Sequence, residues 1–277
     1  MVDMITIEKE TTMIERTGFG PRLISFHGDP KIKAKYVDRV RAHQASDELI
    51  QGYGYWKDGK GCAVGCTLHR STLHRGGNPG DHPHTGYETE LGIPIAIAHL
   101  EDHIFEALPM LEARGFPLQF LQSIPVGADL SGVIPRFLHW LMVGPEDGII
   151  NFTAHQGVKD VIQLAGDLWK RVVDGDMVTQ EEWKAAVWSV TDLKSAFPTR
   201  TYCSLESAAR YHVVDSITMS TAYAVAAGGA YPSTVYSPLR AANATDHYIL
   251  ASGCKYSKKV AIKLLELLAA APVLARV

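Results

Sequence analysis

The chain has 277 residues, 46% of them hydrophobic and 21% charged, with a formal net charge of -3 and a pI near 6.5. That length and apolar content build a large core, as one big domain or two packed halves, and exclude a mostly disordered protein. The balance of charge supplies no global cationic field, so nucleic acid or an anionic membrane surface would have to be recognised by a local patch.

The opening residues MVDMITIEKETT lack the basic start and apolar stretch of a signal peptide. No segment approaches the roughly 20 apolar residues needed to cross a bilayer. The expectation is a cytoplasmic protein with no membrane partner, in which Cys62, Cys66, Cys203 and Cys254 are thiols or metal ligands before they are disulfides. Two β-favouring runs, 5–7 and 23–26, flank a turn-like TGFGP and predict an N-terminal arm or small hairpin over residues 1–28.

From Asp29 and Pro30 onward, Ile32, Tyr36, Val40 and Ile50 recur at helical spacing and predict a helix of about five turns ending at Gly52. Lys31, Lys33, Lys35, Arg39 and Arg41 lie along it as a candidate basic patch. Such a run reads first as a solvated face, and no nucleic-acid partner is predicted. Residues at about 70–87 are rich in Ser, Gly, Asn, Asp and Pro and predict a mobile loop carrying His74, His82 and His84. Glu88 and Glu90 at its end stand close enough to the next helix to join a site. Ile93, Ile97, Leu100, Ile104 and Leu108 form the stripe of that helix, with Pro94 tolerated in its first turn.

Further helices are predicted over 131–143 and 155–173, and Thr179 with Glu182 is a capping-box pattern opening another. An alanine-rich helix over about 204–227 and two last helices near 238–250 and 257–271 complete the chain. Strands do not alternate with helices, so the predicted fold class is all-α: an irregular multi-helix single domain over 29–277, with at most the small N-terminal hairpin.

The densest concentration of unusual residues is 52–69, GYGYWKDGKGCAVGCTLH, with five glycines, two cysteines and a histidine. Gly54 to Lys60 matches the start of a phosphate-cradling GxxxxGK loop, but Gly61 stands where a Ser or Thr must hold magnesium, and a helix precedes it where a buried strand is required. An anion could still meet glycine-rich backbone beside Lys57 and Lys60. If 62–69 is helical, Cys62, Cys66 and His69 share one face and could converge on zinc or another borderline-soft metal. Cys62 at a helix N-terminus, with His43 or His69 as its base, is a candidate nucleophile. Packing of both cysteines as small buried hydrophobes ranks ahead of these readings.

Helical arithmetic places His43 and Asp47 on the apolar stripe of the first long helix, where they could pair or enter a pocket. On the second, it places His99, Asp102, His103 and Glu106 opposite the apolar stripe, as a solvated face. Glu101 alone sits beside that stripe and is the preferred acid.

The pattern CxxxCxxH resembles the CxxxCxxC of radical-SAM iron–sulfur enzymes, with His69 in place of the third cysteine. The phrase GYWKDGKGCAVGCTLH, followed by YETELGIP and LEDHIFEALP, resembles segments of uncharacterised bacterial and phage proteins over residues 36–110, and that resemblance implies no activity. The expected function is binding of a small-molecule or nucleotide-like ligand in a pocket lined by His43, Asp47, Cys62, Cys66, His69 and Glu101. Lys57, Lys60, Tyr53 and Trp56 are the expected ligand contacts, in a thiol- or metal-dependent enzyme with zinc as the candidate cofactor. The alternative is a helical interaction or scaffold protein in which 52–69 is a structural turn anchored by Tyr53, Tyr55 and Trp56.

Overall fold

The computed structural model describes residues 23–53, 55–70, 83–152, 154–179, 181–183, 185–186, 188–189 and 255–274. Among them the chain is all-α with one short antiparallel hairpin. The helices are α1 (Pro30–Ala45), α2 (Ala63–Leu68), α3 (Thr85–Leu91), α4 (Ile95–Ala107), α5 (Met110–Ala113), α6 (Phe116–Ser123), α7 (Val133–Val143), α8 (Gln156–Asp174) and α9 (Lys255–Ala269). The hairpin pairs β1 (Trp56–Lys57) with β2 (Lys60–Gly61).

Contacts divide the chain into two compact units, one of Met1–Arg22 with Pro135–Thr245 and one of Leu23–Ile134 with Asp246–Val277. In the first, α8 lays its apolar face, Val158, Ile162, Ala165 and Trp169, into the interior and ends on Gly175 at positive φ. The predicted capping box is present beyond it. Glu182 Oε2 accepts from the Thr179 amide at 2.7 Å, and Thr179 Oγ1 accepts from the Glu182 amide at 3.2 Å.

The second unit holds every predicted site residue. Asp29 caps α1 through the Lys31 amide at 2.8 Å, and Pro30 occupies the first turn, where its missing N–H is harmless. The helix buries Tyr36, Val37, Val40 and His43. It stops at Ala45, about two turns short of the predicted end. The cause is a C-terminal motif in which Asp47 takes the left-handed conformation at φ 57 and the Glu48 amide reaches back to the His43 carbonyl at 3.0 Å. Ile50 is therefore outside the helix.

Packed around α1 are α2 and α6, and α9 packs on α4 and α6. The core joins Phe26, Val64, Leu91, Ile97, Phe105, Phe120, Leu121, Ile124, Leu264 and Leu268, each 1% exposed or less. Lys33, from the run read as a solvated face, donates to the carbonyls of Gln122 and Ile124 at the end of α6, at 2.8 and 2.6 Å. Arg39 of the same run donates to the Thr67 carbonyl at 2.8 Å.

Three separated stretches meet at the edge of this unit. Ile24 bridges Asp129, Ala128 bridges Val273, and Ser25 Oγ both donates to Pro125 O at 2.5 Å and accepts from the Ala128 amide at 2.8 Å. Residues 25–28 form a 3-10 turn in place of the second strand of the predicted hairpin; the first run, 5–7, lies outside the described residues. The helices predicted over 204–227 and 238–250 also lie outside them, as does 71–82 of the predicted loop. The end of that loop is ordered as α3, which begins at Thr85.

Candidate functional site

The segment singled out in the sequence folds as a hairpin running into a short helix. β2 is bonded on both edges: to β1 in the register Trp56 with Gly61, and to the end of the α1 turn, where Gly61 N donates to Glu48 O and Ile50 N donates to Gly61 O. Two of its glycines are required by close packing. A Cβ on Gly61 would lie 1.9 Å from the Tyr55 carbonyl oxygen, and one on Gly65 only 1.2 Å from it. The sequence GCAVG thus lets α2 sit directly on the backbone of Tyr55.

Cys62 precedes α2 as its N-cap with extended backbone, and His69 follows it in the left-handed conformation at φ 56. The helical spacing that would have aligned Cys62, Cys66 and His69 therefore does not apply at either end. The structure sends them to different partners, so the predicted three-residue metal set does not form. Cys66 donates to Gly61 O at 3.4 Å and approaches Glu48 O at 3.6 Å. Burial, with the nearby Glu48 carboxylate adding to it, pushes the Cys66 thiol up to about 12.

His69 joins His43. Their Nε2 atoms are 2.6 Å apart, and His43 Nδ1 is 2.5 Å from Glu48 Oε2. Trp56 stacks on His69 with centroids 4.3 Å apart at 18° and meets His43 edge-on at 5.0 Å. Asp47, expected beside His43, is exposed and pairs with Arg114 at 3.1 Å, because the helix ends before it. Glu48, not singled out in the sequence, takes the place expected for Asp47.

Cys62 joins a second group. Cys62, Asp102 and Glu106 each place a ligand atom within 4.8 Å of the others; the first is buried, the second half-buried and the third exposed. They are the one set of three such residues among the described residues. Asp102 and Glu106 stand one turn apart on α4. Around them, His84 Nε2 is 3.3 Å from Asp102 Oδ2, His84 stacks on His99 at 3.7 Å, and Tyr55 Oη is 3.5 Å from His84 Nδ1. Glu106 Oε2 also accepts from the Gly52 amide at 2.7 Å. Asp102 Oδ1 is shielded from solvent with no hydrogen-bond partner at normal geometry, and the Cys62 thiol is the group that faces the Asp102 carboxylate.

The expected solvated face of α4 is only partly solvated: Glu106 is exposed, Asp102 and His103 are half-buried and His99 is buried. His99 is 3% exposed, because α4 is covered on several sides, by α2, α3, α6 and α9. The signal was present in the sequence: Ala98 and Phe105 extend the apolar surface of this helix past one stripe, the mark of a helix buried beyond one face. Glu101 is fully buried as expected, but its partner is Tyr87, whose hydroxyl donates to Glu101 Oε2 at 2.5 Å. Burial raises the pKa values of Glu101 and of Tyr87, so the pair favours its neutral forms.

The remaining predicted contacts are peripheral. Lys57 and Lys60 are exposed opposite each other on the hairpin, and Tyr53 is 40% exposed. Glu90 accepts from Tyr36 and from Arg70, and Glu88 Oε1 accepts from the Ile95 amide at 3.0 Å. His74 and His82 lie outside the described residues.

Burial first, then the facing Asp102 carboxylate, pushes the Cys62 thiol well above its ordinary range, which disfavours the thiolate a nucleophile needs. Iodoacetamide at about pH 8 is expected to label Cys62 and Cys66 in the native protein at least about a hundredfold more slowly than in denatured protein. Peptide mass spectrometry reads the two sites separately. Native labelling of Cys62 at the denatured rate would restore the nucleophile reading.

Compared with protein-family models, curated proteins and solved structures, the chain finds no match. Among the described residues, no helix is long and apolar enough to cross a membrane.

Proposed function

We propose that this unit binds a borderline-soft divalent cation of the zinc class through Cys62, Asp102 and Glu106, and uses it to hold a small-molecule ligand as a metal-dependent enzyme. The observation that carries this reading is Asp102 Oδ1, a solvent-shielded carboxylate oxygen with no hydrogen-bond partner beside a thiol and a second carboxylate. Leaving such an oxygen unsatisfied costs about 1–3 kcal/mol, and a cation removes that cost. Sulfur with carboxylate oxygens is a donor set that zinc accepts. Three protein donors leave a coordination position open, as catalytic sites do and closed structural sites do not. His84 against Asp102 is the kind of supporting contact that orients a metal-binding carboxylate.

Zinc or cobalt titration of the metal-free protein is expected to show one ion bound per chain, with a thiolate-to-cobalt absorption band. Cys62→Ser should abolish the band, and Asp102→Asn should weaken binding by about tenfold or more. Absence of binding, or unchanged binding in both variants, refutes the site. A purely structural role for 52–69, in an interaction or scaffold protein, is favoured by the contact of Gly61 and Gly65 with Tyr55 O. That reading predicts no bound ion.

A further inference from the structure

Glu48, His43 and His69 form a line running from the end of α1 to the surface, and the metal reading uses none of them. We propose that His69 is an exposed proton acceptor for a water molecule or a ligand hydroxyl, with His43 and Glu48 behind it as the relay that carries the proton away.

The geometry fixes the tautomers. Glu48 Oε2, 2.5 Å from His43 Nδ1, holds a proton on that nitrogen and leaves His43 Nε2 as an acceptor. The 2.6 Å gap between the two Nε2 atoms accommodates one proton, so His69 carries it on Nε2. The lone pair of His69 is then on Nδ1, the nitrogen outside that bond. When a hydroxyl gives its proton to His69 Nδ1, the O–H bond breaks and an N–H bond forms there. The His69 Nε2–H bond breaks in turn, its proton passes to His43 Nε2, and the new imidazolium lies against the Glu48 carboxylate.

The surroundings favour passing the proton on. Burial, then the Arg39 guanidinium, then His43 lower the His69 pKa to about 4, against the opposing pull of Glu48. Arg39 comes from α1 and is held on Thr67 O; from α2, Cys66 meets the Glu48 backbone. The Trp56 ring fixes the plane of His69 without adding charge. The sign follows. A folded-state pKa below the ordinary value of about 6.5 means that His69 stays unprotonated into mild acid, and its contribution to stability is complete above about pH 6.5 and lost as pH falls toward 4.

Diethyl pyrocarbonate tests the relay, because acylation at Nδ1 requires loss of the Nε2 proton. The probe transfers its ethoxycarbonyl group to Nδ1, His43 takes the proton, and ethyl carbonate leaves to become ethanol and carbon dioxide. The reaction is run on the full chain in EDTA, so that failure of the metal site does not affect it, and is read by mass spectrometry of the His69 peptide. Glu48→Gln, which keeps the shape but not the charge, is expected to slow His69 modification by about tenfold. Wild-type His69 should remain reactive at about pH 5, where ordinary imidazoles are protonated. A Glu48→Gln rate within about twofold of wild type overturns the proposal, since that is far below what a working acid–base partner contributes. Imidazole nitrogen NMR of the wild type decides independently of any variant. Protons on His43 Nδ1 and His69 Nε2 are expected, and a His69 proton on Nδ1 overturns the relay.

Discussion

Gly65→Ala is expected to destabilise the second unit by more than about 3 kcal/mol, beyond the usual range for an added methyl group. The new Cβ would stand 1.2 Å from the Tyr55 carbonyl oxygen, and that oxygen is backbone, so no side-chain rotation relieves the clash. Either α2 shifts off the hairpin or the Tyr55 peptide turns away. Both movements disturb the neighbours of Tyr55, since its ring meets His84 and Trp56 follows it in β1. Chemical denaturation should show a lowered midpoint with little change in slope, and Ala63→Gly on the same helix, which removes a buried methyl without adding a clash, should cost clearly less. A Gly65→Ala protein as stable as wild type would contradict the close approach of α2 to Tyr55.

Tyr87→Phe is expected to cost about 3 kcal/mol, because it removes the hydroxyl that donates to a carboxyl group buried at 0% exposure. Glu101 Oε1 already lacks a partner, so the variant leaves both oxygens of a fully buried acid unsatisfied. The size of the loss distinguishes a polar penalty from a packing one, since the ring itself is retained. Adding Glu101→Leu to Tyr87→Phe should recover much of the stability, because two apolar groups of similar volume need no hydrogen bond. Urea denaturation of the wild type, both single variants and the double variant measures the coupling. Strict additivity would show that the Tyr87 hydroxyl and Glu101 do not interact.

Helices long enough to show a periodic stripe were legible in the sequence, as α1, α4, α7, α8 and α9 illustrate. So was the capping box at Thr179, because its chemistry is local. The end of α1 was less legible. Its stop depends on Asp47 adopting a left-handed backbone, an option that Asp tolerates but does not announce. Continued helical spacing would place Asp47 on the buried stripe, whereas the left-handed turn at Asp47 puts Glu48 beside His43. Short helices such as α3 and α6 were missed, since fewer than about three turns give a stripe little room to repeat.

The candidate site was legible as a place and only partly as a set of residues. The concentration of glycines marked where two backbones touch, and Cys62, His43, His69 and Glu101 are all in the region expected. Their grouping depended on tertiary packing. Cys62 and His69 flank a six-residue helix whose caps, not its periodicity, aim them apart. The side of α4 opposite its apolar stripe is solvated at Glu106 as expected, but His99 is buried and Asp102 half-buried, because a second face of the helix is also covered. The packing of α2 and α3 against that second face is information that spacing along one helix does not contain.

The bridges from Ile24 to Asp129 and from Ala128 to Val273 have a consequence for synthesis order. Both polar groups lie between residues 43 and 106, yet the unit holding them is completed by α9, with the other unit inserted between. As the chain leaves the ribosome, Leu121, Phe105 and their neighbours must wait for Leu264 and Leu268 before that core can close. Closing so long an interval costs chain entropy and favours slow assembly. During that wait the half-finished unit leaves apolar surface uncovered, the condition under which incompletely folded chains associate.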